Sequence, residues 1–528
     1  MTIEFYGFGQ NPSNSYFKWQ QDYFAKKIGV NVAIIPADSE RLQPMLSAGN
    51  LPDMGCYAVN GSLSQAIQGG HLLDLTPYEK EISNFTEKWP EAAQYSKDYM
   101  SNGTGKLYGL PGALGRPNSF ALNTGTYATQ VRWDIYEKAG KPEVTDMYSF
   151  LDAAVKMKEV YPTTEDGLET YMIGLFPDGG AGGLFINPAY KWLEVSGVCG
   201  INDVATYDLV NNKLEYIFDK NSAYYQGLKW MATANRMGLV DPDSMTQTYE
   251  ITQGKINDSG QYYTCLRGNY CDKFNTAENM NGENPKGFMP LIWEGQHPVV
   301  EAKLTKLGQI RNPYAISATT KKLDACLKFA NFLYDEDAMM VMFGGPQGEL
   351  WDIVDGKYVL TDAAEEFRTT GKHTFGTGEE GSDWWGYWGL QAAHSHSKYP
   401  DFTFRITDSI PWTEARIADN KIYDMYEEHY GKRRPIEIYE EYDALCYRPE
   451  WHKLIETMPD GLSDTLSGAV AVLVPLEWQM LLNTKDDAEF DRMFEEIAAQ
   501  AENLGVKAVY DWTAEQVEKA RKAYQKYQ

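Results

Sequence analysis

The chain carries little positive charge and no basic run. It has 48 lysine and arginine residues against 74 aspartate and glutamate residues, a formal net charge of −26 over 528 residues. A field of that sign repels the phosphate backbone of nucleic acids and anionic membrane surfaces. The composition therefore argues against a nucleic-acid-binding protein.

Long hydrophobic runs are also missing. The most apolar run, Ala469 to Val474, ends at Pro475, whereas a membrane-spanning helix needs about 20 residues. The first residues, Met1 to Glu4, lack the basic and apolar regions of a signal peptide. We therefore expect either a cytosolic chain or a mature chain whose leader has been removed.

Cysteine is scarce and scattered. The six cysteines show no metal-ligand spacing and are too few for a disulfide scaffold. Cys265 and Cys271 are close enough in sequence to pair in an oxidising compartment, although buried thiols are the favoured interpretation of the set. The six are Cys56, Cys199, Cys265, Cys271, Cys326 and Cys446.

The motifs of common enzyme classes are absent from the sequence. It contains no HExxH, no Gly-x-Ser-x-Gly, no Walker A and no GxGxxG. His394 and His396 could be a metal pair, but no third ligand lies nearby in sequence, so we interpret them as surface or packing residues. We predict no catalytic residue, no metal and no cofactor.

Strands and helices alternate at the N-terminus. Hydrophobic patterning predicts strands at 2–6, 30–35 and 53–59, with intervening helices that end at Gly29 and Gly49. Short connections of this kind are typical of a parallel sheet with helices on both faces. Ligands bind outside the carboxyl ends of such strands. We therefore expect the loops after the three strands to form one wall of a binding site.

Further helices are predicted along the rest of the chain. Thr145 is expected to cap a helix that stops at Pro162, and a second helix is expected at 224–237. One long helix is predicted from 323 to 344, and a capping box at 513–516 is expected to open the last helix.

An ordered set of short motifs resembles the extracellular solute-binding proteins of carbohydrate ABC transporters. Each motif alone is weak, but the set spans nearly the whole chain in the expected order. The size and the C-terminal extension are similar to the large lipoprotein-type oligosaccharide binders of Gram-positive bacteria. The motifs are Arg41 to Asp53, Gly70 to Thr76, Gly105 to Pro111, Arg132 to Gly140, Leu228 to Pro242 and Phe329 to Asp335.

The resemblance implies an α/β, two-lobed periplasmic-binding-protein-like fold of type II, with a hinge between the lobes and extra C-terminal helices. Lobe 1 would comprise 1–118 and 312–370. Lobe 2 would comprise 119–311 and 371–450. Residues 451–528 would form a helical extension that packs across the lobes.

The resemblance also implies a function. The chain would be the extracellular substrate-binding component of an ABC importer, which captures an oligosaccharide between two closing lobes and delivers it to the permease. It would be a monomer, held on the membrane only by a lipid anchor that is absent from this sequence. A peptide-binding receptor of the same architecture and a glycoside hydrolase are the alternatives.

One segment departs from the resemblance. Large members often carry a calcium loop where this chain has Thr163 to Glu169. Few of these residues provide alternating oxygen ligands, so we interpret the segment as a solvated turn.

Aromatic residues are abundant, and one segment concentrates them. The sequence Ser382 to Gly389 holds Trp384, Trp385 and Trp388 between glycines. Flat aromatic faces cover the apolar faces of sugar rings. Strand alternation would place Trp384 and Trp388 on one face and Trp385 on the other, so at least one of them is expected to face ligand.

Further ligand-binding residues are predicted around the cleft between the two implied lobes. Trp293 and Glu294 end an apolar run, where a carboxylate could accept bonds from sugar hydroxyls, although a plain strand end fits equally well. Arg132, at a predicted helix start, is instead expected to pair with a nearby acid. The other predicted ligand-binding residues are Asn11, Ser13, Asn14, Tyr57, Asn60, Arg116 and Asn118.

Overall fold

Two compact units make up the chain. The computed structural model describes residues 1–7, 15–36, 39–112, 114–115, 129–177, 189–265, 268–271, 273–300, 306–370, 373–374, 414–415, 417–456 and 458–528. The first unit comprises 1–120 and 302–418 with Tyr527, and the second comprises 121–301 and 419–526 with Gln528. The C-terminal helices, predicted as a separate extension, fall in the second unit.

The first unit is an α/β unit, and elements are numbered in chain order. Its strands are β1 (Thr2–Gly7), β2 (Asn31–Pro36), β3 (Met54–Cys56), β4 (Leu110–Gly112), β11 (Gln309–Ile316), β12 (Trp351–Val354) and β13 (Lys357–Leu360). Its helices are α1 (Ser15–Ile28), α2 (Ser39–Ala48), α3 (Ser64–Gln68), α4 (Ser83–Thr86), α5 (Pro90–Tyr99), α12 (Leu323–Phe332), α13 (Glu336–Gly344) and α14 (Asp362–Thr370).

A five-stranded sheet, in the order β2-β1-β3-β11-β4, organises the first unit. β1 is parallel to β2 and β3, as predicted. β11, which comes from a later part of the chain, is antiparallel to β3 and β4, so the complete sheet is mixed. The pattern of the N-terminal residues could not reveal a strand that is contributed by a segment much further along the chain.

Helix α1 illustrates why the sequence folds as it does in this unit. Phe24 is fully buried and makes edge contacts with Phe329 of α12 at 5.7 Å between ring centroids. The helix ends at Gly29, whose φ of 71° is left-handed and whose N–H donates to the carbonyl of Ala25. Such a conformation favours glycine, so the predicted helix end is confirmed.

The long helix predicted from 323 to 344 is two helices. α12 ends at Phe332, and Asp335 caps α13 by accepting a hydrogen bond from the N–H of Ala338 at 2.9 Å. Aspartate is among the best N-cap residues. The apolar stripe continues across the break, so the pattern alone suggested one continuous helix.

The second unit also mixes strands and helices. Its strands are β5 (Gln130–Arg132), β6 (Val198–Asn202), β7 (Ala205–Asp208), β8 (Lys213–Tyr216), β9 (Phe288–Pro290), β10 (Val299–Val300) and β14 (Cys446–Tyr447). Its helices are α6 (Trp133–Lys138), α7 (Met147–Val160), α8 (Tyr190–Val195), α9 (Ala223–Arg236), α10 (Tyr249–Asn257), α11 (Ala277–Asn281), α15 (Lys421–Tyr430), α16 (Pro435–Glu441), α17 (Asp460–Asn483), α18 (Asp487–Asn503) and α19 (Val506–Tyr524).

A buried ion pair ties β5 to α6 in the second unit. The Arg132 guanidinium donates to both carboxylate oxygens of Asp134, at 2.8 and 2.7 Å, and both side chains are buried. The guanidinium also lies 4.5 Å from the ring centroid of Phe274. The predicted structural role of Arg132 is therefore confirmed.

Two predicted helix starts in this unit are wrong. Asp146, not Thr145, caps α7 by accepting hydrogen bonds from the N–H groups of Tyr148 and Ser149. α19 begins at Val506, and Thr513 lies inside it. The Thr513 hydroxyl donates to the carbonyl of Val509 at 2.8 Å, so it bonds within the helix rather than capping it.

Helix α17 has the length and composition of a membrane-spanning helix, and it is alone in this among the described helices. It contains the Ala469 to Val474 run and continues through Pro475. One face packs in the second unit: Glu477 contacts α9, and the Leu482 carbonyl accepts a hydrogen bond from Asn235 at 2.9 Å. Core helices have this composition as well.

Candidate functional site

The carboxyl ends of parallel strands in the first unit, and of parallel-bridged extended segments in the second, mark a candidate site in each unit. In the first unit, β1 and β3 end side by side, with Tyr6 paired to Gly55. Of the residues predicted here, Asn11, Ser13 and Asn14 lie outside the described residues. Asn60 lies in a single turn of π-helix, Val59–Leu63, which follows β3.

Tyr57 lies directly after β3. Its backbone N–H donates to the carbonyl of Pro313, and its ring stacks on that of Tyr6 with 6.2 Å between centroids. Gly55 makes this packing possible, because a Cβ there would lie 3.0 Å from the Tyr57 hydroxyl.

The Tyr57 hydroxyl is buried and has no hydrogen-bond partner among the described residues. Burial raises the pKa of this phenol well above its ordinary value, so it stays protonated. A buried polar group without a partner costs stability unless something satisfies it. The Tyr57 hydroxyl, which follows the carboxyl end of β3, is therefore a candidate hydrogen-bonding group for a ligand.

In the second unit, several short extended segments run parallel to one another. Tyr171 bridges to Tyr262 and Ile173 bridges to Val240, both in parallel. The chain after each segment therefore reaches the same edge, here called the second edge.

Three aromatic side chains form a cluster at the second edge, here called the aromatic cluster. The ring centroids of Phe176 and Tyr249 are 5.6 Å apart, those of Tyr249 and Tyr270 5.3 Å, and those of Phe176 and Tyr270 6.2 Å. Phe176 and Tyr270 are buried, whereas 38% of Tyr249 is exposed. Sequence reasoning missed this cluster, because its members are far apart in sequence and none has an aromatic neighbour.

A buried polar network supports the second edge. The Asp241 carboxylate accepts hydrogen bonds from Lys255 at 2.7 Å and from the Tyr262 hydroxyl. Burial opposes the charge of Lys255, but the bond to Asp241 prevails and raises its pKa. Asp241, Lys255 and Tyr262 thus provide hydrogen-bond partners for one another, which favours a structural role for this network.

Lys191 brings a second cation, which unlike Lys255 is fully buried, to this edge. Its ammonium group is fully buried and donates to the carbonyl of Cys265 at 2.7 Å. It fixes the backbone at Cys265, the residue after the bridge between Thr264 and Val131.

Trp293 and Glu294 have different environments. Trp293 is buried and stacks on Phe150 of α7 with 6.4 Å between centroids, a packing role. Glu294 is exposed next to Gly295, whose φ is 93°. Their assignment to a ligand site stays a prediction.

Five predicted ligand-binding residues in the middle and later parts of the chain, and the histidine pair, lie outside the described residues. They are Arg116, Asn118, Trp384, Trp385, Trp388, His394 and His396.

The segment Thr163 to Glu169 is a closed turn. Thr163 bridges to Glu169, and the Thr164 N–H donates to the carbonyl of Leu168 at 2.8 Å. Within the described ranges, no group of three histidine, cysteine, aspartate or glutamate side chains is arranged to hold a metal ion.

A sequence profile of one family matches most of the chain. The family, described as bacterial extracellular solute-binding protein, matches residues 19–349. No curated protein sequence matches the chain.

Solved structures share the fold over nearly the full length. FusA from Streptococcus pneumoniae in complex with kestose aligns at a TM-score of 0.62 and 15% identity, covering 100% of both chains. A solute-binding protein from Bifidobacterium longum infantis, described as binding human milk oligosaccharides (HMO), aligns at 0.60 and 16%, covering 98% of both chains. The alginate-binding protein AlgQ2 aligns at 0.58 and 14%, with the same coverage. Likenesses at this level of identity show the fold, and they confirm the predicted α/β solute-binding fold.

Proposed function

The chain belongs to the bacterial extracellular solute-binding proteins, and on that premise we propose that its solute is an oligosaccharide. Membership makes the chain the non-catalytic, extracellular solute-binding component of an ABC transporter, with a ligand and transporter subunits as partners. The glycoside-hydrolase alternative is thereby set aside.

Tyr57 carries the proposal. Its buried hydroxyl has no partner among the described residues and follows a strand at a carboxyl edge, where ligands of α/β proteins bind. A phenol that stays protonated can both donate to and accept from a sugar hydroxyl. A neutral, hydroxyl-rich ligand suits such a group better than an ion does.

The aromatic cluster supports the same class of ligand. Tyr249 presents part of its ring to solvent, and Phe176 and Tyr270 hold that ring in place. Covering roughly 100 Å² of apolar sugar surface at about 25 cal/mol per Å² contributes about 2.5 kcal/mol. Two such surfaces with several hydrogen bonds suffice for micromolar affinity, about −8 kcal/mol.

The neighbours with this fold favour carbohydrate over peptide. The names of three of them specify kestose, human milk oligosaccharides (HMO) and alginate. The net charge of −26 makes a neutral glycan a better match here than a polyanion such as alginate.

The proposal also covers how the chain works as a receptor and how it is held at the membrane. We include closure of the two lobes on the sugar, delivery to the permease, a monomeric state and a lipid anchor on the outer face of the membrane. A ligand favours the closed state only to the extent that it binds the closed state more tightly than the open state. X-ray scattering with and without ligand measures closure as a decrease in the radius of gyration.

Calorimetry of the full chain tests the solute. The panel comprises fructo-, malto- and milk-type neutral oligosaccharides, alginate oligosaccharides and short peptides. We expect micromolar binding of at least one neutral glycan, with the glycan recovered intact by chromatography. Millimolar or weaker binding of every glycan would overturn the proposal, and tight binding of a peptide would replace it with the peptide-receptor alternative.

Tryptophan substitutions test the proposed platform in 384–388. Trp384, Trp385 and Trp388 are replaced singly by alanine, with Trp19→Ala, a partly buried residue that stacks on Tyr23, as the matched control. We expect at least one of the three to weaken binding by tenfold or more, while Trp19→Ala leaves it unchanged. If all three alanine variants bind with unchanged affinity, the proposed aromatic platform in 384–388 is wrong, whereas the proposed contact with Tyr57 is unaffected.

A further inference from the structure

Two cysteine side chains meet at the second edge. The Sγ atoms of Cys265 and Cys271 are 3.4 Å apart, and both residues are buried. A disulfide bond is about 2.05 Å long, so bond formation requires the two sulfurs to approach by about 1.3 Å. We propose that Cys265 and Cys271 form an intramolecular disulfide bond in an oxidising environment.

The backbone at Cys265 is held from the sheet side. The N–H of Thr264 donates to the carbonyl of Met172 at 3.0 Å. The carbonyl of Cys265 itself accepts the hydrogen bond from Lys191. These two hydrogen bonds hold the backbone that carries the first sulfur.

The backbone at Cys271 is held separately, at the end of a single 3-10 turn, Gly268–Cys271. The Tyr270 carbonyl accepts a hydrogen bond from the side-chain amide of Asn257 at 2.9 Å, and the Cys271 carbonyl accepts one from the N–H of Phe274 at 3.1 Å. Because each cysteine is anchored by its own contacts, their meeting is a property of the fold.

The extracellular location of the family supplies the conditions for the bond. Disulfides form and persist outside the cell, whereas cytosolic thiols stay reduced. The oxidant is another disulfide, and the experiment uses glutathione disulfide in that role. Its S–S bond breaks, one S–S bond forms between Cys265 and Cys271, and the two thiol protons and two electrons end on two reduced glutathione molecules.

The bond would stiffen the proposed ligand surface. Tyr270 lies inside the loop that the disulfide closes, and its ring contacts Tyr249 and Phe176 in the aromatic cluster. Formation of the bond does not depend on the identity of the solute, so its test is independent of the sugar-binding test.

Thiol counting tests the proposal. The full chain is unfolded, refolded in a glutathione redox buffer and alkylated after denaturation. We expect four of the six cysteines to be alkylated, with peptide mapping linking Cys265 to Cys271. Cys271→Ser leaves all five remaining cysteines alkylated, whereas the matched control Cys446→Ser, at a partly buried cysteine of the same unit, retains the link.

Thermal unfolding gives a second measurement that needs no variant. Closing a short loop raises the midpoint of the oxidised wild-type chain over the reduced chain by roughly 5 °C. Alkylation of all six cysteines after refolding under oxidising conditions, or a link between any other pair, would overturn the proposal. Equal midpoints for the mapped, oxidised chain and the reduced chain would overturn the stiffening of the loop.

Discussion

Tyr224 of α9 and Glu477 of α17 meet in the interior of the second unit, with the phenol oxygen 3.4 Å from each carboxylate oxygen. Glu477 is fully buried, and no cation of the described ranges forms an ion pair with it. Burial therefore raises its pKa well above the ordinary value despite the hydrogen bond from Tyr224. Burial between these two helices therefore favours the neutral form of the Glu477 carboxyl group.

Glu477→Gln is expected to stabilise the chain at neutral pH. The folded state keeps a proton that the unfolded state releases above about pH 4.5, so the wild-type free energy of unfolding falls as pH rises through that value. Glutamine has nearly the same shape and does not titrate. The variant should gain about 1.4 kcal/mol for each unit by which the folded pKa is raised, up to the working pH.

Denaturant unfolding between pH 4 and 8 measures this gain. The difference between Glu477→Gln and wild type should be small at pH 4 and grow with pH. The control is Glu496→Gln on the exposed face of α18, where the difference should stay within about 0.5 kcal/mol. A pH-independent difference for Glu477→Gln would show that the carboxyl group is ionised in the folded state.

His452 has the opposite pH dependence. Burial, together with the charge of Arg448, lowers its pKa to about 3, and its Nδ1 is hydrogen-bonded to the carbonyl of Pro449. The unfolded state takes up a proton below about pH 6.5 and the folded state does not, so the stabilisation present above pH 6.5 is lost as pH falls from there towards 3.

His452→Gln should remove this acid sensitivity. Its free energy of unfolding should change less than that of wild type between pH 6.5 and 4, with a difference in slope of up to about 1.4 kcal/mol per pH unit. Parallel curves for His452→Gln and wild type would contradict the prediction.

Breaking the ion pair between Arg132 and Asp134 is expected to lower the free energy of unfolding substantially, even when only one side chain is changed. Asp134→Asn leaves the guanidinium buried without its countercharge, which should destabilise the second unit by about 3–5 kcal/mol. The control is the ion pair between the partly buried Lys158 and the exposed Glu169, where Glu169→Gln should cost less than about 1 kcal/mol.

A double-mutant cycle separates the pair from its surroundings. Arg132→Met together with Asp134→Leu should cost much less than the sum of the single changes, because neither charge is then left alone. Additive costs would mean that the contact of Arg132 with Phe274, rather than the ion pair, holds this part of the unit.

The elements that the sequence predicted well are those whose signals are local. β1, α1 and the end of α1 at Gly29 follow from alternation, helical spacing and a glycine whose φ is positive. The family resemblance rested on motifs in chain order, and the matched profile confirms it.

The errors have physical causes that a local pattern does not contain. The choice between Thr145 and Asp146 as a cap depends on which oxygen reaches the helix N–H groups. The break before Asp335 lies within a continuous apolar stripe, and α17 continues through Pro475 although proline usually ends a helix.

The candidate site was only partly predictable. Tyr57 was predicted because it lies near the carboxyl end of the predicted strand 53–59, but its buried hydroxyl could be found only in three dimensions. The aromatic cluster depends on three segments that meet at one edge, a long-range relationship with no signal in the sequence around Tyr249.

Tyr57 and Tyr334 allow a matched test of the first unit's site. Both are buried tyrosines in the same unit, but the Tyr334 hydroxyl donates to the carbonyl of Pro111 at 2.7 Å, whereas the Tyr57 hydroxyl has no partner among the described residues. Tyr57→Phe therefore removes a group that costs stability in the unliganded chain. Tyr334→Phe removes a satisfied hydrogen bond.

The two variants should separate affinity from stability. Tyr57→Phe should leave the free energy of unfolding unchanged or slightly higher and weaken oligosaccharide binding by about 3- to 10-fold, the value of one hydrogen bond. Tyr334→Phe should lower stability by about 1 kcal/mol and leave affinity unchanged. Calorimetry and denaturant unfolding measure both quantities. Loss of stability without loss of affinity in Tyr57→Phe would show that the hydroxyl is satisfied within the protein, because only a ligand contact links its removal to weaker binding.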